Sequence, residues 1–288
     1  MEPRSEILES RALLRGSIEV VERKAARVRR LRGTTVKRYL ARHLYALLLR
    51  APAWLVTAYA RYTAAWTNAL AGLPRNRLLE SCRSFAVLAA RRGIHHTPRG
   101  IYRRFVDGAV TMVDLAFVLF RRGGDALVER VRVEPEELDR LNRLRQEHGG
   151  VMLCVPHNPG SVFAAPAITR AVKTVLVSRN SPTIDRTRIA LDIYERLGVT
   201  VLMVRDANPI ELARVCLRLL REQTVVVATV DRIDRQPTRA MVPMFGQPVG
   251  FGSWPAKFAV KSRVPLVPIY VHTTRDGLAM ELGPDRIC

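Results

Sequence analysis

The sequence has few cysteines, and their spacing excludes two kinds of stabilised fold. Its four cysteines form no C-x-x-C pair, so neither a disulfide scaffold nor a zinc ribbon is expected, and a reducing compartment fits. The adjacent histidines His95 and His96 have no acid or cysteine near them in the sequence, so we predict no metal site, and we expect no cofactor. The cysteines are Cys82, Cys154, Cys216 and Cys288.

Acidic residues are scarce relative to basic ones. The chain has 47 Lys and Arg against 26 Asp and Glu, a net charge of +21, and only five of the 47 are lysine. No acid stands between Glu22 and Glu80, an interval with thirteen basic residues that is densest from Arg23 to Arg38. This excess predicts a polyanionic partner, either nucleic acid or an anionic membrane.

The sequence also lacks a secretory signal and an uninterrupted apolar run of spanning length. Its first residues have no apolar core of the signal type, and the apolar stretch at 39–74 is interrupted by Arg61. A spanning helix needs about 20 predominantly apolar residues. We therefore predict helices that lie in the membrane interface, while a tilted single span and a soluble helical hairpin remain alternatives. The side chains expected at headgroup depth are Trp54, Tyr59, Tyr62 and Trp66.

From residue 76 onward, short apolar runs alternate with helical patterns. Helices are predicted at 99–122, 135–148, 161–171, 183–197, 209–222 and 255–262, and strands at 151–155, 174–177, 199–204, 224–230 and 264–271. Such alternation is typical of an α/β fold with a largely parallel central sheet flanked by helices. We predict two domains: basic, apolar membrane-associating helices over 1–75, and an α/β domain over 76–288.

Open α/β sheets place their chemistry beyond the carboxyl ends of the strands. The strand at 151–155 leads into His157 at the start of a helix, where the positive end of the helix favours the neutral imidazole that a general base requires. Asn158 and Ser161 follow as candidate oxyanion donors, although both are also ordinary helix caps. The strand at 224–230 leads into Asp231 and Asp234.

Two sequence blocks carry a family resemblance. Residues 149–161 read GGVMLCVPHNPGS, and residues 242–248 read VPMFGQP after Asp231 and Asp234. With the PLVP motif at 265–268, this order and spacing resembles the lysophospholipid acyltransferase superfamily, closest to its lipid A late acyltransferase branch, the lauroyl and myristoyl transferases. The resemblance covers most of residues 40–271.

The resemblance implies a membrane-bound enzyme that moves a fatty acyl group from acyl carrier protein or coenzyme A to a lipid hydroxyl. It places the enzyme on the cytoplasmic face of the inner membrane, peripheral or with a single span. The signature of the family is H-x4-D/E, in which the histidine is the base and the acid orients it. His157 matches the histidine, but Val162 stands where the acid belongs.

Three interpretations of this departure remain open. Another acid, Asp231 or Asp234, takes over; or His157 works unaided, with a rate loss of up to about 10⁴-fold by analogy with a serine protease; or the chain is a catalytically weak or inactive relative that binds lipid. The acceptor is a lipid A precursor or another glycolipid or phospholipid.

The remaining candidate residues are assigned to substrate. Arginines near the strand ends offer bidentate geometry to phosphate on the acceptor or the carrier, and Phe245 with Gly246 is placed at the acyl groove. A nucleic-acid-binding protein is the alternative from another class, disfavoured because apolar and aromatic residues follow the basic run. The arginines are Arg179, Arg232 and Arg235.

Overall fold

The fold is given by a computed structural model. The structure describes residues 43, 50–72, 76–179, 184–204, 208–229, 240–244, 246–274 and 276–286. The α-helices in these ranges are α1 (Ala53–Ala69), α2 (Arg77–Ala90), α3 (Pro98–Val128), α4 (Pro135–His148), α5 (Pro159–Ala171), α6 (Ile184–Leu197), α7 (Pro209–Arg221) and α8 (Trp254–Ser262). The strands are β1 (Val131–Arg132), β2 (Val151–Val155), β3 (Thr174–Ser178), β4 (Thr200–Met203), β5 (Val225–Thr229), β6 (Ala240–Met244), β7 (Gln247–Phe251), β8 (Leu266–Thr273) and β9 (Leu278–Leu282).

Seven of these strands form one sheet in the order β1-β9-β8-β2-β5-β3-β4. Strands β8, β2, β5, β3 and β4 are mutually parallel, and β9 runs antiparallel to β8. The predicted α/β class with a largely parallel sheet is therefore confirmed. The predicted strands and helices after residue 98 also match within a few residues, whereas β1 and β9 were not predicted. Strands β6 and β7 form a separate antiparallel hairpin.

Alternate residues of the central strands bury against opposite helical layers. On one face of β2, Leu153 and its neighbours pack with α3, α4 and α5. On the other face, Met152 packs with α7 and α8. Because both faces are covered, β2 is fully buried and reads as a continuous apolar run, as parallel strands do.

The first three helices form a unit beside the sheet. Helices α1 and α2 both pack on α3 around a small core that includes Tyr102 and Val106. The Thr57 hydroxyl donates to Asp114 at 3.0 Å and ties α1 to α3. Within the described residues, no helix combines the length and apolarity that a bilayer crossing requires. The basic run at 23–38 lies outside the described residues, and so does the part of the predicted helical segment before residue 50, apart from His43.

Helix α3 connects this unit to the carboxyl edge of the sheet. A methyl group built at Gly108 would lie 3.7 Å from the Thr273 hydroxyl oxygen, at the end of β8. On the same helix, Leu115 and Leu119 are buried in the main core. The N-terminal helices therefore meet the α/β core at the edge where the parallel strands end.

Candidate active site

The turn from β2 to α5 holds His157 at the carboxyl edge of the sheet. Asn158 is the N-cap of α5, and its side-chain oxygen accepts from the Ser161 backbone N–H at 2.9 Å. The Ser161 hydroxyl donates to the Pro156 carbonyl oxygen at 2.9 Å. Both side chains thus fix the turn that carries His157, which is the structural role open to them in the sequence.

The backbone at the start of α5 packs closely against the side chains of β8 and β9. A methyl group at Gly160 would lie 3.3 Å from side-chain atoms of both Val271 and Leu278. Such spacing leaves little room for a side chain, so glycine permits the helix to sit directly over β8 and β9. This packing sets the height of His157 above the strand ends.

His157 is exposed and lies at the mouth of a cavity of about 360 Å³. Polar side chains line the mouth, where the Ser178 and Tyr194 hydroxyls lie 3.2 Å apart and Arg179 stands exposed at the end of β3. Apolar side chains line the interior. They include Val162, Ala165, Ile168, Leu176, Val199, Val227 and Met280.

The cavity runs between the sheet and helix α5 along strand β3. Its lining includes Ser178 at the carboxyl end of β3 and Thr174 at the amino end. Five residues of strand span about 13 Å. The space is therefore a deep apolar slot with a polar opening, the general form of a site for an amphiphile.

Val162 lines this cavity one helical turn beyond the cap. Its side chain is partly buried and packs against the main core. Among the described residues that line the cavity there is no aspartate or glutamate. The valine thus extends the apolar wall to a position close in sequence to His157.

The other candidate acids follow the strand beside β2. Val155 pairs with Thr229, and each is the last residue of its strand. Asp231 and Asp234 lie outside the described residues, as do Arg232, Arg235 and Phe245. Gly246 has a φ of +79° at the turn between β6 and β7 and is exposed. It is not among the residues that line the cavity.

The hairpin of β6 and β7 presents apolar side chains to solvent. Met241, Val242 and Met244 are all exposed, although methionine and valine usually bury. The sequence motif VPMFGQP falls within this hairpin. Sequence reasoning found the motif from its order but did not predict the two strands.

The described cysteines are unsuited to nucleophilic chemistry. Burial raises the pKa of Cys154 to about 12 and that of Cys216 to about 11. It also raises the pKa of Cys82. Because the thiolate is the nucleophile, these buried thiols are inert at neutral pH.

The fold and the site together are those of an α/β domain with a histidine at a helix start beside an apolar cavity. A family model described as bacterial lipid A biosynthesis acyltransferase matches residues 101–286, which is 186 of the 288 residues. The chain belongs to this family, and the resemblance drawn from its sequence blocks is confirmed. No curated protein matches the chain.

Proposed function

We propose that this protein transfers a fatty acyl group from an acyl thioester to a lipid hydroxyl at His157. The single observation that carries the proposal is the cavity, which has His157 at a polar mouth and an apolar interior along β3. The thioester carbonyl lies at the mouth and its acyl chain extends into the slot. The donor is acyl carrier protein or coenzyme A, and the acceptor is a lipid A precursor or another (lyso)glycolipid or phospholipid.

In this reaction His157 acts as the general base. The imidazole takes the proton of the acceptor hydroxyl, and the hydroxyl oxygen attacks the thioester carbonyl carbon. The tetrahedral intermediate collapses, the carbon–sulfur bond breaks, and the leaving thiolate takes the proton from the imidazolium. The Gly160 backbone N–H stabilises the negative oxygen, because Pro159 has no N–H and the Asn158 and Ser161 N–H groups donate within the turn. Asn158 and Ser161 hold that turn in place.

Asp231 supplies the carboxylate that Val162 does not. Thr229 stands beside Val155, and neighbouring strands lie about 4.8 Å apart. His157 and Asp231 each follow their strand by two residues, and two residues span at most about 7 Å. Asp234 is the second candidate because it is three residues further along the chain.

The substrate groups are assigned to the arginines and to the hairpin motif. Arg179 lines the mouth of the cavity and binds a phosphate of the acceptor or of the carrier arm. Arg232 and Arg235 are proposed for the same role. Phe245 and Gly246 are proposed to contact substrate outside the slot, since Gly246 does not line the cavity.

We place the protein on the cytoplasmic face of an inner membrane, with an anionic lipid surface as partner and no nucleic acid. Four aromatic side chains of α1 support this placement because all are exposed. The division into a membrane-associating segment at 1–75 and an enzyme domain at 76–288 stays a prediction. The aromatic residues are Trp54, Tyr59, Tyr62 and Trp66.

A second candidate function is lipid binding without catalysis. The observation that favours it is Val162, which gives the cavity an apolar wall where the family signature has an acid. This candidate needs the same cavity and the same membrane attachment, but no proton transfer.

Acyl transfer by purified protein in detergent separates the two. Labelled donors on both carriers are offered with lipid A precursors and lysophospholipids, with wild type beside His157→Ala. Transfer that the variant loses supports the enzyme. Binding of acyl donor without transfer by either protein supports the non-catalytic alternative.

A further inference from the structure

A second apolar groove lies in the N-terminal helices, distinct from the cavity at His157. It has a volume of about 450 Å³ and is formed by α1, α3 and one residue of α2. None of its lining residues lines the first cavity. Its lining includes Leu55, Val56, Tyr59, Ala60, Phe105, Ala109, Val110 and Val113.

The groove is open to solvent at its rim despite its apolar character. Phe105 is 60% exposed and Tyr59 is 61% exposed, although both are large aromatic residues. Val56 and Ala60 are buried and form its floor. A contiguous apolar surface that large side chains leave exposed marks an interaction site.

The charge around the groove indicates the chemistry of the molecule that it binds. Between residues 50 and 128 the sequence has twelve arginines, no lysine and four carboxylates. Arg103 and Arg104 are exposed and immediately precede Phe105. Of the acids in this part of α3, Asp107 is exposed and stands between Val106 and Ala109 in sequence, and Asp114 accepts a hydrogen bond from Thr57. The two exposed arginines outnumber the one exposed aspartate, and an apolar slot beside them is complementary to an acyl chain with an anionic headgroup.

The position of the groove relates it to the active site. Helix α3 lines the groove with Phe105, Ala109 and Val113, while Gly108 of the same helix meets Thr273 at the carboxyl edge of the sheet. The aromatic side chains of α1 lie next to the groove in sequence, and Tyr59 belongs to both. The groove therefore includes Tyr59 of the exposed aromatic set, and it lies on a helix that reaches the carboxyl edge of the sheet.

We infer that this groove holds one acyl chain of an anionic membrane phospholipid when the protein sits on a bilayer. The arginines contact the headgroup, and the chain lies between α1 and α3. The lipid docks the carboxyl edge of the sheet against the membrane. This inference rests on the proposed membrane association and does not depend on acyl transfer.

The test uses a tryptophan reporter in the full chain. The three tryptophans are replaced by phenylalanine, and Phe105→Trp is added to report from the groove. Phe85→Trp in the same background is the matched control, because Phe85 is exposed on α2 and does not line the groove. Vesicles of phosphatidylglycerol with brominated acyl chains quench a tryptophan that touches the chains, and phosphatidylcholine vesicles test the role of charge. The replaced residues are Trp54, Trp66 and Trp254.

The expected result is quenching of the groove reporter at least threefold stronger than that of the control, and stronger with phosphatidylglycerol than with phosphatidylcholine. Ala109→Phe fills the groove from its exposed side, so it should remove the difference in quenching between the groove reporter and the control reporter. Ala58→Phe adds the same side chain to an exposed site of α1 outside the groove and leaves the difference intact.

Equal quenching of both reporters in bound vesicles, or no effect of Ala109→Phe, would overturn the groove and leave membrane association standing. Failure of the wild-type chain, which keeps Trp54 and Trp66, to sediment with any vesicle would overturn both. A tryptophan at position 105 that is already shielded from water before lipid is added would also overturn the inference. Shielding that depends on protein concentration would then identify a second copy as occupant, and shielding that does not would identify another segment of this chain.

Discussion

Val155 and Thr229 are register partners in neighbouring parallel strands, and each is the last residue before a loop that carries a candidate catalytic group. The pairing makes a specific prediction about the missing acid. Asp231→Asn should lower kcat by about 10²-fold or more, because an unoriented imidazole is a poor base. Steady-state rates with saturating donor measure the effect.

A second substitution makes this prediction sharper. Val162→Asp returns the acid to its position in the family motif, and in the Asp231→Asn background it should restore part of kcat. Val162→Asn, of the same size but without charge, is the control. If Asp231→Asn leaves kcat unchanged while Asp234→Asn lowers it, the assignment moves to Asp234.

The cavity along β3 should set the acyl chain that the protein accepts. Ala165→Leu adds volume to the wall of the slot, so it should raise KM for long acyl donors and shift preference to shorter ones. Ala171→Leu adds the same volume at the exposed end of α5 and should leave chain preference unchanged. Competition between donors of different length measures the shift. An unchanged preference in Ala165→Leu would show that the acyl chain lies elsewhere.

Gly150 allows the start of β2 to pass close to α7. A methyl group at this position would lie 2.2 Å from the Leu220 carbonyl oxygen, so the backbone must move to admit it. Gly150→Ala should therefore lower the free energy of unfolding by about 2 kcal/mol or more. Urea denaturation measures the change. Gly252→Ala, whose methyl group would meet its nearest atom at 3.9 Å, should have a much smaller effect.

The buried cysteines should be unreactive in the folded protein. With Cys288→Ser, which removes the cysteine outside the described residues, no thiol should react with an aromatic disulfide reagent within minutes at pH 8. Three thiols should react after unfolding in guanidinium. Burial and a pKa of about 12 at Cys154 are the reason. Rapid reaction of one thiol in the native state would reveal local opening around that residue.

The ion pair between Arg140 and Asp285 should make stability depend on pH in the acid range. The Arg140 guanidinium donates to Asp285 at 2.9 Å, and this hydrogen bond lowers the pKa of the Asp285 carboxyl. A lowered pKa means that the stabilisation is present above the unfolded value of about 3.9 and is lost as pH falls through the folded value. Both side chains are about one-third exposed, so the contribution is at most about 1 kcal/mol.

Comparing Asp285→Asn with wild type measures this contribution. Urea unfolding from pH 6 to pH 3 should show a difference at pH 6 that shrinks toward zero as the aspartate protonates. A constant difference over this range would contradict the assignment and point to lost packing.

The predictability of the fold follows burial. Strand β2 was predicted because five consecutive apolar residues are required where both faces of a strand are covered. Helix α4 ends at Gly149, whose φ of +77° is typical of a C-terminal cap. Strand β1 has only two residues, too few for a pattern. Strand β9 reads LAMEL, in which Glu281 follows the alternation of buried apolar and exposed polar residues but Ala279 weakens it.

The position of His157 could be predicted because it depends on the end of a strand. The cavity beneath it could not, because it depends on long-range packing. The position of His157 follows from an apolar strand and a helix start, both visible in sequence. The slot beneath it is built from residues of five strands and two helices, and such long-range assembly leaves no local pattern. For the same reason the groove between α1 and α3 could not be predicted, although Tyr59, one of its two exposed aromatic residues, is among the side chains predicted at headgroup depth.

The place of β9 in the sheet constrains how this molecule can be made. It lies between β8 and β1, with Leu278 and Met280 buried, and Gly277 passes so close to Arg130 that no side chain fits. While the ribosome is still adding residues before 278, β1 has no neighbour and the apolar edge of β8 is uncovered. Pairing of β8 and β1 through β9 therefore waits until β9 has been made. Until then the uncovered edge of β8 is open to pairing with another strand.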